Sequence, residues 1–159
     1  MATTLAALFA GWDLHQQRIV QMIAPLTPEQ LLLRSAPDMW HVSILAAHVI
    51  GTRAFWFHEI MREGPPEMAG WSGLDDIDES ARTVERLVQG LDETWAMIGA
   101  VLARCTADDL DATFERVYPT HTRLFTRQSL LLRVLTHDAH HGGEISQILG
   151  MHGVMGMDW

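Results

Sequence analysis

The sequence has no lysine, a single cysteine, and no apolar run long enough to cross a membrane. Each absence excludes something. Phosphate backbones and anionic lipid surfaces are held chiefly by clustered lysine and arginine. With 11 basic residues against 20 acidic ones, a formal charge of -9, the chain is expected to bind neither nucleic acid nor a membrane. Cys105 has no partner for an intramolecular disulfide, which excludes the framework that small secreted domains use. A reducing cytoplasm is the expected location. The N-terminal segment starts apolar but lacks a basic flank. Asp13, His15, Gln16, Gln17 and Arg18 interrupt it early, so it reads as a helix and not as a targeting signal. At 159 residues, 48% of them hydrophobic, the composition is that of one domain over residues 1–159.

What the chain has in excess is histidine, nine residues, and their placement depends on the helices. Apolar residues recur at helical spacing in four long segments, and no sustained period-two run suggests a hairpin. An all-α four-helix bundle is therefore expected. The first helix is expected over about 3–24, with Leu5, Leu8, Trp12, Ile19 and Met22 on one stripe and His15 beside them. Thr27-Pro28-Glu29-Gln30 reads as a capping box before one helical turn. A second helix runs from near His41 to Arg62, ended by Gly64-Pro65-Pro66, and 64–78 reads as loop. A third spans about Glu79 to Arg104 on the seam Ala81, Val84, Val88, Leu91, Trp95, Ile98 and Leu102. Thr106 to Asp109 suggests a short capped turn, and Asp111 to Phe125 is irregular or extended. The fourth helix, capped by Thr126 or Thr122, runs from Arg127 to about Leu149, with Gly150 and Gly153 as stop signals.

In the fourth helix, Leu135-Thr136-His137-Asp138-Ala139-His140-His141-Gly142-Gly143-Glu144 sets His137 and His141 at i and i+4, on one face a turn apart. Leu130, Val134 and Ile148 share that stripe, so the pair points inward. His48 lies in the apolar run Ile44 to Ile50 of the second helix, with Thr52 and Phe55 on its face. Two facing helices can thus bring three imidazole nitrogens to one point. Neutral imidazole is a common ligand of divalent ions, and three protein ligands leave a position for water or substrate. Buried unpaired imidazoles are costly, and an ion satisfies three lone pairs at once. Glu144, seven residues after His137, is a candidate acceptor behind a ligand or an occasional fourth ligand, or else a surface partner of His140.

The string His137-Asp138-Ala139-His140-His141 falls short of the zincin pattern, because an Asp beside the first ligand is one methylene too short to serve as the general base. Asp138 reads instead as a surface residue, solvated or paired with Arg133 or Arg127. His15 reads as a buried, satisfied histidine, with a proton shuttle or substrate contact as its functional alternative. The six tryptophans read mostly as core or edge packing, with a pocket mouth near the metal as the alternative for Trp40 and Trp56. Arg116, Arg123 and Arg127 read as a solvated face, or as binders of a substrate anion. Nothing supports Cys105 as a nucleophile.

The segment Met39-Trp40-His41-Val42-Ser43-Ile44-Leu45-Ala46-Ala47-His48, the turn Leu26-Thr27-Pro28-Glu29-Gln30-Leu31, the stretch HDAHHGGEISQILG and the closing Met157-Asp158-Trp159 together resemble the DinB/YfiT-like family across nearly the whole chain. The resemblance implies a four-helix bundle, commonly a homodimer, with a divalent ion on His48, His137 and His141. The family usually carries an Arg-Gly-Gln-like step after the last ligand, where this chain has Gly142-Gly143-Glu144. Two glycines weaken a helix by about 1 kcal/mol each, and a loosened geometry is expected there. Relatives include transferases of bacillithiol or mycothiol. The leading expectation is therefore a metal-dependent thiol S-transferase with a low-molecular-weight thiol cosubstrate and a small-molecule acceptor. A metal-dependent hydrolase and a non-catalytic metal or small-ligand carrier are the alternatives. Imidazole does not distinguish Zn, Ni, Fe or Mn.

Overall fold

The computed structural model describes residues 4–155. The first expected helix is in two pieces, α1 (Leu5–Leu8) and α2 (Ala10–Ile23), because Phe9 leaves helical geometry at φ -111, ψ 22. The break rotates the stripe. Leu8 is left exposed, while Trp12, Gln16, Ile19, Met22 and Ile23 are buried. Thr27 and Gln30 form the reciprocal capping box, with backbone-to-side-chain bonds of 2.9 and 3.3 Å, and open a 3-10 turn over Gln30–Leu32.

Helix α3 (Val42–Ala54) is apolar nearly all round and therefore buried nearly all round. Only Ile44, His48 and Thr52, four residues apart on one stripe, are half-buried. It continues as a π-helical turn over Phe55–Ile60, where the wider winding ends on Arg62 in the left-handed region at φ 60. Residues 64–78 are not featureless loop. Pro66–Trp71 forms a 3-10 turn whose Met68 and Trp71 join Leu74 in the core, so the segment 68–74 spends its apolar side chains inside its own chain.

Helix α4 (Val84–Arg104) begins five residues later than expected. Glu79–Ala81 is a separate 3-10 turn, and Thr83 caps the helix by accepting from Arg86 N at 3.3 Å. Its buried stripe centres on Leu87, Gly90, Leu91, Thr94, Ile98 and Val101, one step round from the expected seam, with Val84, Val88 and Trp95 at the edge. Gly90 is needed here: a Cβ would meet Ile50 and Trp71 at 3.0 Å. The capped turn at Thr106 and Asp109 forms as expected.

The chain is mostly helical but not all-α. Strands β1 (Thr113–Val117) and β2 (Thr122–Thr126) pair antiparallel, with Phe114 opposite Phe125 and Arg116 opposite Arg123. The alternation is masked in the sequence because Arg116 takes an inward position, laying its guanidinium over Phe55, Trp56 and Tyr118 at 4.7, 5.0 and 4.5 Å. Helix α5 (Arg127–Met151) is capped by Thr126 and runs unbroken through Gly142 and Gly143, so the loosening expected there does not occur. Gly153, at φ 71, follows its end. Helices α2 and α3 each pack against α4 and α5 around one apolar core. The closing Met157-Asp158-Trp159 lies outside the described residues.

Candidate metal centre

Packing of α3 against α5 brings the three imidazoles of His48, His137 and His141 together. Ring centroids are 4.8 Å apart for His48 and His137, 5.1 Å for His48 and His141, and 4.4 Å for His137 and His141. One ligand nitrogen from each lies within 4.8 Å of the others, a group that could hold a metal ion. Helical spacing explains the α5 pair. The half-buried stripe of α3 that carries Ile44, His48 and Thr52 explains His48.

Carboxylates hold the outer nitrogens of two rings. Asp75 Oδ2 accepts from His48 Nδ1 at 2.7 Å, and Glu144 Oε2 accepts from His141 Nδ1 at 2.6 Å. Such bonds fix the tautomer and leave Nε2 of each ring as the lone-pair donor. His137 is held differently: its Nε2 is 3.3 Å from Thr52 Oγ1, and its Nδ1 is buried with no hydrogen-bond partner. Burial, then the neighbouring His141, His48 and His140, push the His137 pKa from 6.5 down to about 3. Burial likewise lowers His141, against the opposing pull of Glu144. Both rings therefore favour the neutral form, the one that binds metal. An imidazole with an orphaned buried nitrogen, among rings kept neutral, has donor capacity to spare, and the donor set fits a borderline divalent ion.

The other oxygen of Glu144, Oε1, lies 3.6 Å from Nε2 of the exposed His140. His140, His141 and Glu144 make a second, more open group that could hold an ion. His15 is half-buried on α2 and belongs to neither group. Trp40 sits edge-on to His48 at 5.1 Å, and Trp56 shares a cleft with it.

Two expectations are corrected. Asp138 is not a surface residue but fully buried, its Oδ2 accepting from Trp12 Nε1 at 2.8 Å and from Arg53 Nε at 3.0 Å. Successive helix positions point about 100° apart, so Asp138 faces the core junction while His137 faces the triad. Arg127 is not available to a substrate, being buried against Glu63, which also pairs with Arg104. Cys105 is buried at the end of α4.

Asp75 and Arg53 are the residues the sequence reading missed. Arg53 is a lone cation inside the apolar stretch from Ile44 to Phe57, which signals a buried partner. Asp75 had only the acidic pair Asp75-Asp76 after a glycine turn to mark it.

Three clefts open from the triad. His137 lines one of about 760 Å³ with Arg123, Arg133 and His140. His141 and Glu144 line another of about 470 Å³ beside Trp40. His48 and Asp75 line a third, also about 470 Å³, below Arg116.

The family model of the DinB superfamily matches residues 12–145, a span that contains every residue of the triad. This chain belongs to the DinB superfamily. The DinB fold is also found in solved structures. A DinB-like protein from Bacillus cereus ATCC 10987 superposes with a TM-score of 0.72 at 17% identity, covering 100% of this chain and 99% of that one. A conserved protein from Enterococcus faecalis gives 0.59 at 18% identity, covering 94% and 99%. At these identities the likeness shows the DinB fold alone. No curated protein matches the chain.

Proposed function

We propose that this DinB protein, as a single four-helix-bundle domain, binds a divalent ion through His48, His137 and His141 and uses it as a thiol S-transferase. The observation that carries the reading is the convergence of three imidazoles, two of them steadied by carboxylates on their outer nitrogens. A divalent ion with three neutral ligands keeps its full charge and lowers the pKa of a thiol or water at its open position.

The chain's own residues do the rest. Asp75 and Glu144 orient His48 and His141, and Thr52 positions His137. Trp40 walls one side of the site. Held there, a low-molecular-weight thiol would lose its S–H proton to solvent, and its sulfur, still bonded to its own carbon, would bond to the electrophilic carbon as that carbon's leaving group departs with the electron pair of the broken bond; no separate protein base is required. A hydrolase would need a carboxylate to orient water, and Asp75 and Glu144 each engage one oxygen with an imidazole, so metal-dependent hydrolysis is the second reading, separated by the test below. A cytoplasmic location, in keeping with the lone buried Cys105, and a homodimer belong to the same proposal.

Metal analysis of the purified protein tests the first half. A panel of thiols with a chlorodinitrobenzene acceptor, run beside simple esters, tests the second: conjugation dependent on the ion supports the transferase, ester cleavage the hydrolase, and neither a binding protein without turnover.

A further inference from the structure

The inner face of the β1–β2 hairpin sets Arg116 directly opposite Arg123, a like-charge cross-strand pair that costs stability. Arg133 of α5 joins them. It lies 5.1 Å from the Trp56 ring, which Arg116 also covers, and 5.6 Å from the Phe125 ring, which Arg123 covers at 4.8 Å. Three cations thus crowd two shared aromatic rings. None of the three guanidinium groups makes a hydrogen bond or ion pair to any described residue, although the chain carries 20 acidic residues to 11 basic ones. Stacking engages the face of a guanidinium and leaves its N–H donors free at the edge.

The two clefts beside the hairpin differ in sign. The one on the His48 side also holds Glu59, Asp75 and Asp76, which offset Arg116. The one on the His137 side holds Arg123, Arg133 and His140 with no carboxylate, over exposed Leu124 and Leu132. We infer that the small molecule bound at the triad carries an anionic group on an apolar body, held by Arg123 and Arg133 in the cleft that His137 lines. This rests on the triad being the reaction site and names the class of molecule it takes.

Naphthalene-2-sulfonate is a suitable probe, since a sulfonate is a weak metal ligand, and methyl 2-naphthyl sulfone is its neutral counterpart. Calorimetric titration of the full chain, zinc-loaded and zinc-free, should show the sulfonate binding roughly tenfold more tightly than the sulfone, from charge-assisted bonds. The double variant Arg123→Gln/Arg133→Gln should lose that preference while retaining zinc and helical content, and each single variant should lose part of it. Arg86→Gln, a charge control on α4, should keep it. Equal binding of the two probes to the wild type, or a preference that survives the double substitution, overturns the inference. If the wild type holds no zinc, the function proposed above fails separately, and the zinc-free titration still decides the cleft.

Discussion

Trp12 and Asp138 are 126 residues apart in sequence, and the indole Nε1 of the one donates to the Oδ2 of the other at 2.8 Å. The same carboxylate meets Arg53, itself fully buried, whose Nη1 donates to Gln16 Oε1 at 2.7 Å and to Leu91 O at 3.3 Å. One buried ion pair therefore ties α2, α3, α4 and α5 at a single junction. Breaking one half of such a pair leaves an uncompensated charge in the core, so Asp138→Ala should cost about 3–5 kcal/mol. Replacing both partners by apolar residues, Arg53→Met with Asp138→Leu, should recover most of that loss. Urea unfolding of the three proteins measures it. A single-variant cost under about 1 kcal/mol would mean the pair behaves as though solvent-exposed.

The His137 imidazole gives a pH dependence with a definite sign. Its pKa is about 3 in the fold against an ordinary 6.5, so between those values the unfolded chain binds a proton that the folded chain refuses. The stability is full above about pH 6.5 and declines as the pH falls toward 3. One proton corresponds to a slope of up to about 1.4 kcal/mol per pH unit. Unfolding of the metal-free protein at several pH values should show this, and His137→Gln, which cannot titrate, should flatten the slope by up to one proton. An unchanged slope in the variant would show that His137 accepts its proton normally in the fold.

Asp75 and Glu144 hold two imidazoles of the proposed metal centre and would act on a bound ion through them. Asp75→Asn and Glu144→Gln should each weaken zinc binding by about 10–100-fold, the range for partners that orient a ligand histidine. Competition with a chelating dye reads this directly. Zinc affinity equal to the wild type in both variants would leave the two carboxylates without the role assigned to them.

Gly90 marks a close approach of α4 to its neighbours, with Ile50 and Trp71 both 3.0 Å from where a Cβ would stand. Gly90→Ala should therefore destabilise the protein by about 1–3 kcal/mol through overpacking, despite the better helix propensity of alanine. Thermal unfolding checks the sign, and a rise in melting temperature would contradict it.

Much of this was legible in the sequence where the physics is local. The capping pairs Thr27 with Gln30 and Thr106 with Asp109 act across three residues and form as read. The approach of His137 to His141 needs only an α-helix, and the fit with His48 needs only that two apolar stripes face each other. What was not legible depends on distant partners. Asp138 looked like a surface residue because its partners Trp12 and Arg53 are 126 and 85 residues away. Asp75 reaches His48 across 27 residues of chain, from a stretch after Gly64 that carries no periodic pattern. The hairpin was hidden because an arginine stacked on aromatic rings fills an inward place where a hydrophobic residue would have shown the alternation.

The central claim is that His48, His137 and His141 grip one divalent ion together, and X-ray absorption at the zinc edge tests it most directly on protein loaded with one equivalent. The account predicts three imidazole nitrogens at about 2.0–2.1 Å from the ion, with the imidazole outer-shell signal falling by a third, or zinc being lost, in each of His48→Ala, His137→Ala and His141→Ala. A spectrum of oxygen ligands with no imidazole signal, or one unchanged in the three variants, would contradict it.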